Sequence, residues 1–194
     1  MKPITILLAA LGLLSACAGG GDKSLAGAAL EAAGLRKPAP PPLETQLASR
    51  NVALKLHAAK RLNVDKRGQP LALVVRVYKL RQRAAFEQAP YAAFLSSQAE
   101  REALGADLVE VRELTLVPGQ QLELADKLAR EAGWIGVVAL FHSPAGEGWR
   151  LDFAAPEAEK SGVTIGLHAC AMSVGQGAPA GNATGKPLSL VRCQ

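Results

Sequence analysis

Apolar and polar residues alternate along much of this chain with the two-residue period of strands that are buried on one face. Val52, Leu54 and Leu56 are separated by small or polar residues, and the same period returns over residues 71–80 and 108–117. Successive side chains of a strand point to opposite faces, so this period predicts sheets that each pack on one side.

The second half of the chain predicts further strands. Residues 134–141 are almost continuously apolar, as in a strand buried on both faces, and residues 149–153 are the expected hairpin partner. Residues 163–174 and 187–193 are each predicted as one strand, whereas residues 121–128 fit either a strand or a short helix. Many short strands with turn residues between them predict an all-β, two-sheet sandwich.

A small helical insert interrupts the strands at about residues 86–105, where the apolar period becomes helical. Pro90 should break the insert into two helices, because proline lacks the backbone N–H that a helix interior needs. Ser96 and Ser97 are candidate N-caps of the second helix, and Gly105 is suited to end it.

The N-terminus carries a short apolar run, residues 4–14, behind the basic residue Lys2. Such a run is too short to cross a bilayer of about 30 Å and predicts a signal peptide, residues 1–16. It ends in Leu14-Ser15-Ala16-Cys17, a lipobox. We therefore expect cleavage before Cys17 and acylation of this cysteine, which then serves as a lipid anchor. The alternative is an ordinary secreted protein with a chance cysteine at this place.

Ala18 follows the cysteine where an inner-membrane retention signal would have aspartate, so we expect the outer membrane, with the domain facing the periplasm. Residues 17–44 are rich in Gly, Ala and Pro and predict a tether, semi-rigid where prolines cluster at residues 38–42. Residues 45–194 are then the folded domain. No nucleic-acid role is expected, because the net charge of +5 is modest and the compartment holds no nucleic acid.

Positive charge is concentrated between residues 50 and 83, where ten Lys and Arg residues stand against the single acidic residue Asp65. This segment predicts a basic surface for anionic headgroups or an acidic partner, or else a solvated strand face that keeps the domain soluble. The ten are Arg50, Lys55, Lys60, Arg61, Lys66, Arg67, Arg76, Lys79, Arg81 and Arg83.

Two cysteines, Cys170 and Cys193, remain after Cys17 is acylated. In an oxidising periplasm we expect them to form a disulfide, and two free buried thiols are the alternative. His168 and Cys170 share one face of a predicted strand, yet no third metal ligand is apparent, so a half-exposed strand histidine is the favoured interpretation. No nucleophile elbow, zinc-protease motif or phosphate-binding glycine loop occurs, so neither an enzyme nor a cofactor other than the lipid is predicted.

Several segments behind the lipobox combine into a recognisable pattern that resembles the TssJ family of type VI secretion lipoproteins. The resemblance covers roughly residues 50–153, with departures at Trp134, where tyrosine is usual, and at His142, where arginine is common. The segments are residues 62–70 (LNVDKRGQP), 74–80 (VVRVYKL), 116–119 (LVPG) and 132–141 (AGWIGVVALF), with Phe86, Phe94 and Trp149-Arg150.

The resemblance implies a transthyretin-like two-sheet β-sandwich with a small helical insert and no catalysis. It implies a lipoprotein that holds the periplasmic C-terminal part of TssM and, through that complex, joins TssL. It places the partner contact in the loop between the first two strands, with Leu62 and Val64 as an apolar centre, and the alternative is a solvated hairpin loop. The residues so implied are Lys60, Arg61, Leu62, Asn63, Val64, Asp65, Lys66 and Arg67.

A competing function of another class is a periplasmic lipoprotein that binds a small ligand or a glycan, because sandwiches host such sites. It requires a concave face lined by aromatic side chains, and only 4% of the residues here are aromatic. The structural role in secretion is therefore the favoured hypothesis.

Overall fold

The computed structural model describes residues 49–146, 148–180 and 193. The predicted signal peptide (1–16), the anchor Cys17 and the predicted tether (17–44) lie outside the described residues, as does all of the strand predicted over residues 187–193 except Cys193. Within the described ranges, every helix is too short or too polar to traverse a bilayer.

The described ranges contain nine strands in two sheets. One sheet has the order β4-β1-β7-β8 and the other β3-β2-β5-β6-β9, and neighbours are antiparallel except for the parallel pair β1 and β7. The strands are β1 (Ser49–Ala58), β2 (Leu73–Leu80), β3 (Leu108–Leu116), β4 (Gln121–Ala129), β5 (Trp134–Ala139), β6 (Arg150–Ala154), β7 (Val163–Leu167), β8 (Met172–Gln176) and β9 (Pro179–Ala180).

The two sheets enclose one apolar core, built from the inward positions of the alternating strands. Val52, Leu54 and Leu56 of β1 are buried in the same cluster as Val75 and Val77 of β2. Strand β5 is buried over most of its length, as its continuous apolar sequence predicts. The predicted fold class, a transthyretin-like two-sheet β-sandwich with a small helical insert, is confirmed.

The insert lies on the outer face of the sheet that contains β2. It comprises α1 (Ala84–Gln88), a 3₁₀ helix (Tyr91–Leu95), α2 (Ser97–Leu104) and a second 3₁₀ turn (Gly105–Asp107). The rings of Phe86 and Phe94 lie 5.4 and 5.8 Å from that of Tyr78 on β2. Gly136 of β5 makes room for Phe86, because a Cβ there would come within 2.6 Å of the phenyl ring.

Three expectations change in the structure. Residues 163–174 form two antiparallel strands, β7 and β8, because the chain reverses at residues 168–171. Residues 121–128, left open above, belong to the strand β4. An unexpected helix, α3 (Ala155–Ser161), follows β6 and ends where Gly162 takes a φ of +68°.

Candidate functional site

The loop that joins β1 and β2, residues 59–72, is attached firmly to its surroundings at one end of the sandwich. Asn63 and Val64 donate their backbone N–H groups to the carbonyls of His168 and Ala169 in the β7–β8 turn, each at 3.0 Å. The neighbouring turn therefore holds the centre of the loop.

Asn63 is the buried support of this loop. Its φ of +45° is uncommon for a residue other than glycine, and asparagine tolerates this region better than most. The side-chain Nδ2 donates to the Ala72 carbonyl at 2.7 Å, and Oδ1 accepts the backbone N–H of His142 at 2.7 Å. Both the nitrogen and the oxygen of the Asn63 amide therefore form hydrogen bonds within the protein.

Asp65 organises the tip of the loop. Its Oδ1 accepts the backbone N–H groups of Arg67 and Gln69, both at 2.8 Å, and its carbonyl accepts the N–H of Gly68. Gly68 takes a φ of +77°, which this tight turn requires. The one carboxylate in the loop therefore serves the turn, and the tip presents the side chains of Lys66 and Arg67 to solvent.

Leu62 does not lie where the sequence placed it. It is fully buried in the apolar core, so the expectation that Leu62 forms an exposed apolar centre with Val64 is wrong. The backbone carbonyl of Leu62 accepts the N–H of Leu71, which joins the start of the loop to its end. Between these two segments the side chain of Leu62 turns inward. Val64 is only partly buried and remains at the surface.

The positive charge of residues 50–83 divides into two classes. The four loop cations, Lys60, Arg61, Lys66 and Arg67, are exposed, and none of them forms an ion pair with a carboxylate of the described residues. The other six are neutralised locally: Arg50 by Glu159, Lys55 by Glu123, Arg76 by Glu100 and Glu113, Lys79 by Glu110 and Asp126, Arg81 by Glu131, and Arg83 by Glu87 and Asp152.

The β3–β4 turn lies beside the base of the loop. The N–H of Gly119 reaches the Ala59 carbonyl at 3.2 Å, immediately before Lys60. Val117 in this turn is 53% exposed, and Leu71 at the far arm of the loop is 37% exposed. Sequence reasoning missed Val117, although its position directly after the inward-facing Leu116 marks it as an outward apolar residue.

A disulfide joins Cys170 in the β7–β8 turn to Cys193, with an S–S distance of 2.01 Å. Burial lowers the pKa of the neighbouring His168, whose Nε2 lies 2.8 Å from the Ser173 hydroxyl. Across the ranges that the structure describes, no three His, Cys, Asp or Glu side chains are grouped so as to hold a metal ion.

This chain is similar to known proteins over most of its sandwich. The sequence model of the T6SS-SciN family, described as "Type VI secretion lipoprotein, VasD, EvfM, TssJ", matches residues 50–170. The crystal structure of the T6SS lipoprotein TssJ1 from Pseudomonas aeruginosa is 31% identical, with a TM-score of 0.59, and the match covers 68% of this chain and 98% of that chain.

Two further solved structures share the fold. A chain of a type VI membrane complex is 25% identical with a TM-score of 0.59, covering 64% of this chain and 97% of its own. A chain in the structure named for the T6SS protein TssM C-terminal domain from EAEC is 24% identical with a TM-score of 0.57. That match also covers 64% of this chain and 97% of the other. No curated protein matches the chain.

Proposed function

Because the chain belongs to the TssJ family of type VI secretion lipoproteins, we propose that it holds the periplasmic C-terminal part of TssM at the outer membrane. This role is structural and involves no catalysis. Two similar structures support it, since one is a type VI membrane complex and the other is named for a TssM C-terminal domain. TssL would join the same assembly through TssM.

The loop of residues 59–72 is the surface that we propose contacts the partner. It is held by backbone hydrogen bonds, yet its four cations have no carboxylate partner within the described ranges. A pre-organised loop binds without the entropy cost of ordering. Uncompensated charge at its tip steers a partner of opposite sign toward it. We therefore retain Lys60, Arg61, Lys66 and Arg67 as contact residues, with Val64 partly buried between them.

Anchoring completes the proposed role. Cys17 would carry the lipid, residues 17–44 would act as the tether, and residues 45–194 would reach the partner in the periplasm. Extended chain spans about 3 Å per residue, so such a tether allows the domain to work tens of ångströms from the membrane. Cys17→Ser should therefore leave a folded domain but abolish type VI secretion, and undiminished secretion by this variant would contradict the anchoring step.

Binding is tested with the full-length lipoprotein in detergent, immobilised for interferometry against the periplasmic C-terminal region of TssM from the same genome. We expect saturable binding of the wild type, weakened at least about tenfold by Lys66→Glu with Arg67→Glu. The matched control carries Arg101→Glu and Lys127→Glu, an equal charge change at exposed residues of α2 and β4. Absence of binding by the folded wild type would overturn the proposal.

A further inference from the structure

We propose that the open edge of β3 is a surface through which two copies of this chain associate, as an antiparallel pair of β3 strands with Val111 next to the two-fold axis. The occupant of this edge is a second copy of the chain, so the inference does not depend on the partner proposed above. It assigns a role to Val111, a large apolar side chain that is 41% exposed.

Strand β3 is the outermost strand of its sheet. Within the described ranges its one strand neighbour is β2, and it is nine residues long, with residues 110–113 all exposed. The backbone N–H and C=O groups on the open side of such a strand are a template for pairing with another strand. The edge is therefore long enough and accessible enough to add a strand from a second molecule.

One hydrogen bond shows which residues of β3 direct their backbone groups to the open side. The Val74 carbonyl of β2 accepts the N–H of Leu140, so even-numbered residues of β2 direct their backbone groups toward β5 and odd-numbered residues toward β3. Val77 is paired with Arg112, so the backbone groups of Arg112 point toward β2. Those of the next residue, Val111, then point to the open side.

The charges on β3 select one register for the pair. In a symmetric antiparallel pair one residue lies opposite its own copy, because any other arrangement would oppose outward-directed backbone groups to inward-directed ones. Among the four exposed central residues, Glu110, Arg112 and Glu113 would each meet a like charge at that place. Val111 opposite Val111 instead gives an apolar contact and sets Glu110 of each copy opposite Arg112 of the other.

The side chains that meet in this register are available for pairing. Arg112 is exposed and forms no ion pair with a carboxylate of the described residues. Glu110 accepts from Lys79 at 2.9 Å, and its side chain is 56% exposed. Lys79 has a second carboxylate, Asp126, at 3.1 Å, so Glu110 can share its charge with Arg112 of a second copy without leaving Lys79 unpaired.

A second copy fits this edge because the edge is complementary to itself. Pairing would join the two five-stranded sheets into one continuous sheet, and such a symmetric contact closes at two copies. A single strand pair is smaller than the standard interface of about 800 Å² per partner, so we expect weak association in solution. Anchoring both copies to one membrane would raise their effective concentration and strengthen the pair.

The test is disulfide cross-linking of the full-length lipoprotein in phosphatidylcholine vesicles, with Val111→Cys. The two copies of this position exchange backbone hydrogen bonds, so their Cα atoms lie about 5.5 Å apart, within disulfide range. The domain's own cysteines, Cys170 and Cys193, are already joined. We expect mild oxidation to give a product of twice the chain's mass, which reductant reverses.

The matched control is Thr115→Cys, on the same strand and the same face as Val111 and about 13 Å along it from the axis. It should give at least about tenfold less cross-linked dimer, because the two copies of position 115 are too far apart to bond. Equal cross-linking of the two variants would overturn the register. Absence of the dimer from folded Val111→Cys would overturn the association itself.

Charge reversal tests the ion pairs across the axis. Arg112→Glu, added to Val111→Cys, should reduce the dimer about tenfold, because it sets like charges opposite Glu110 twice. Further addition of Glu110→Arg restores opposite charges and should recover the dimer, which general damage to the strand would not allow. Arg101→Glu, the same charge change on exposed α2, should have no effect, and melting temperatures verify folding.

Two further outcomes would contradict the proposal. Undiminished cross-linking after Arg112→Glu would show that the charges do not set the register. Oxidation of cells that carry Val111→Cys identifies the natural occupant, and the expected product contains two copies of this chain by mass spectrometry. A product that joins this chain to a different protein, with no dimer, would overturn the second copy as the occupant.

Discussion

The side-chain oxygen of Asn63 accepts the backbone N–H of His142 at 2.7 Å, although 79 residues separate the two along the chain. The same amide donates to the Ala72 carbonyl, so one buried side chain joins the start of the β1–β2 loop, its end and the segment after β5. The shape of the candidate binding loop therefore depends on Asn63 more than on any exposed residue within it.

Asn63→Ala should lower the free energy of unfolding by about 2–4 kcal/mol, because the N–H of His142 and the carbonyl of Ala72 lose their partner and alanine is forced to a positive φ. Urea denaturation measures the loss. Asn63→Gly relieves the backbone strain but does not restore the missing hydrogen bonds. Its stability should therefore lie between that of the wild type and that of Asn63→Ala. Asn51→Ala, at an exposed position of β1, is the control and should change stability by less than about 0.5 kcal/mol.

Glu100 of α2 fastens the insert to β2. Its two carboxylate oxygens accept from the Tyr78 hydroxyl and, at 2.9 Å, from Arg76, and burial together with the bond to Glu100 raises the pKa of Tyr78. Glu100→Ala should cost about 2–4 kcal/mol, because it leaves the buried Tyr78 hydroxyl without its acceptor and removes one of the two carboxylates that pair with Arg76. Glu102→Ala on the exposed side of the same helix should be nearly neutral in the same denaturation assay.

The alternating strands could be predicted because their period is local and their inward residues are large. The reversal at residues 168–171 could not, since this turn contains no glycine or proline and interrupts a run that is apolar on both sides. Helix α3 is seven residues long with small buried residues, Ala155 and Ala158, so it shows too little periodicity to be recognised. Pro156 near its start and Gly162 after its end were the available signals.

The candidate site was predictable in its charge and not in its apolar part. Lys60, Arg61, Lys66 and Arg67 are exposed because long cations in a polar loop remain solvated. Whether Leu62 points in or out depends on backbone bonds to Leu71 and to a turn more than a hundred residues away, and no local pattern contains that information.

The bond between Cys170 and Cys193 closes a segment with a sequence separation of 23 residues. In the chain-entropy model such a closure stabilises the fold by about 3 kcal/mol. Cys170→Ala combined with Cys193→Ala should therefore lower the melting temperature by several degrees. Reductant should lower the wild-type melting temperature by a similar amount and leave the double variant unaffected. A variant that remains sensitive to reductant would show that the bond is not the source of the effect.

Asp152 on β6 is a buried carboxylate at an unfavourable place. Its Oδ2 has no hydrogen-bond partner in the described part of the chain, and the guanidinium of Arg83, the residue before α1, lies 3.6 Å away. Glu87 of α1 and Arg150 of β6 are the other charged groups that face it. Burial, with a smaller contribution from the charge of Glu87, raises the pKa of Asp152 from 3.8 to about 6.

A carboxyl whose pKa is higher in the folded state binds its proton more tightly there, so ionising it destabilises the fold. Stability should therefore rise as the pH falls from about 7.5 to 5 and Asp152 is protonated, by about 1.4 kcal/mol. Asp152→Asn removes the charge and should raise the urea midpoint at pH 7.5 and flatten this dependence. Glu102→Gln, the loss of one exposed negative charge, should keep the wild-type slope, and an equally steep slope in Asp152→Asn would assign the titration to another group.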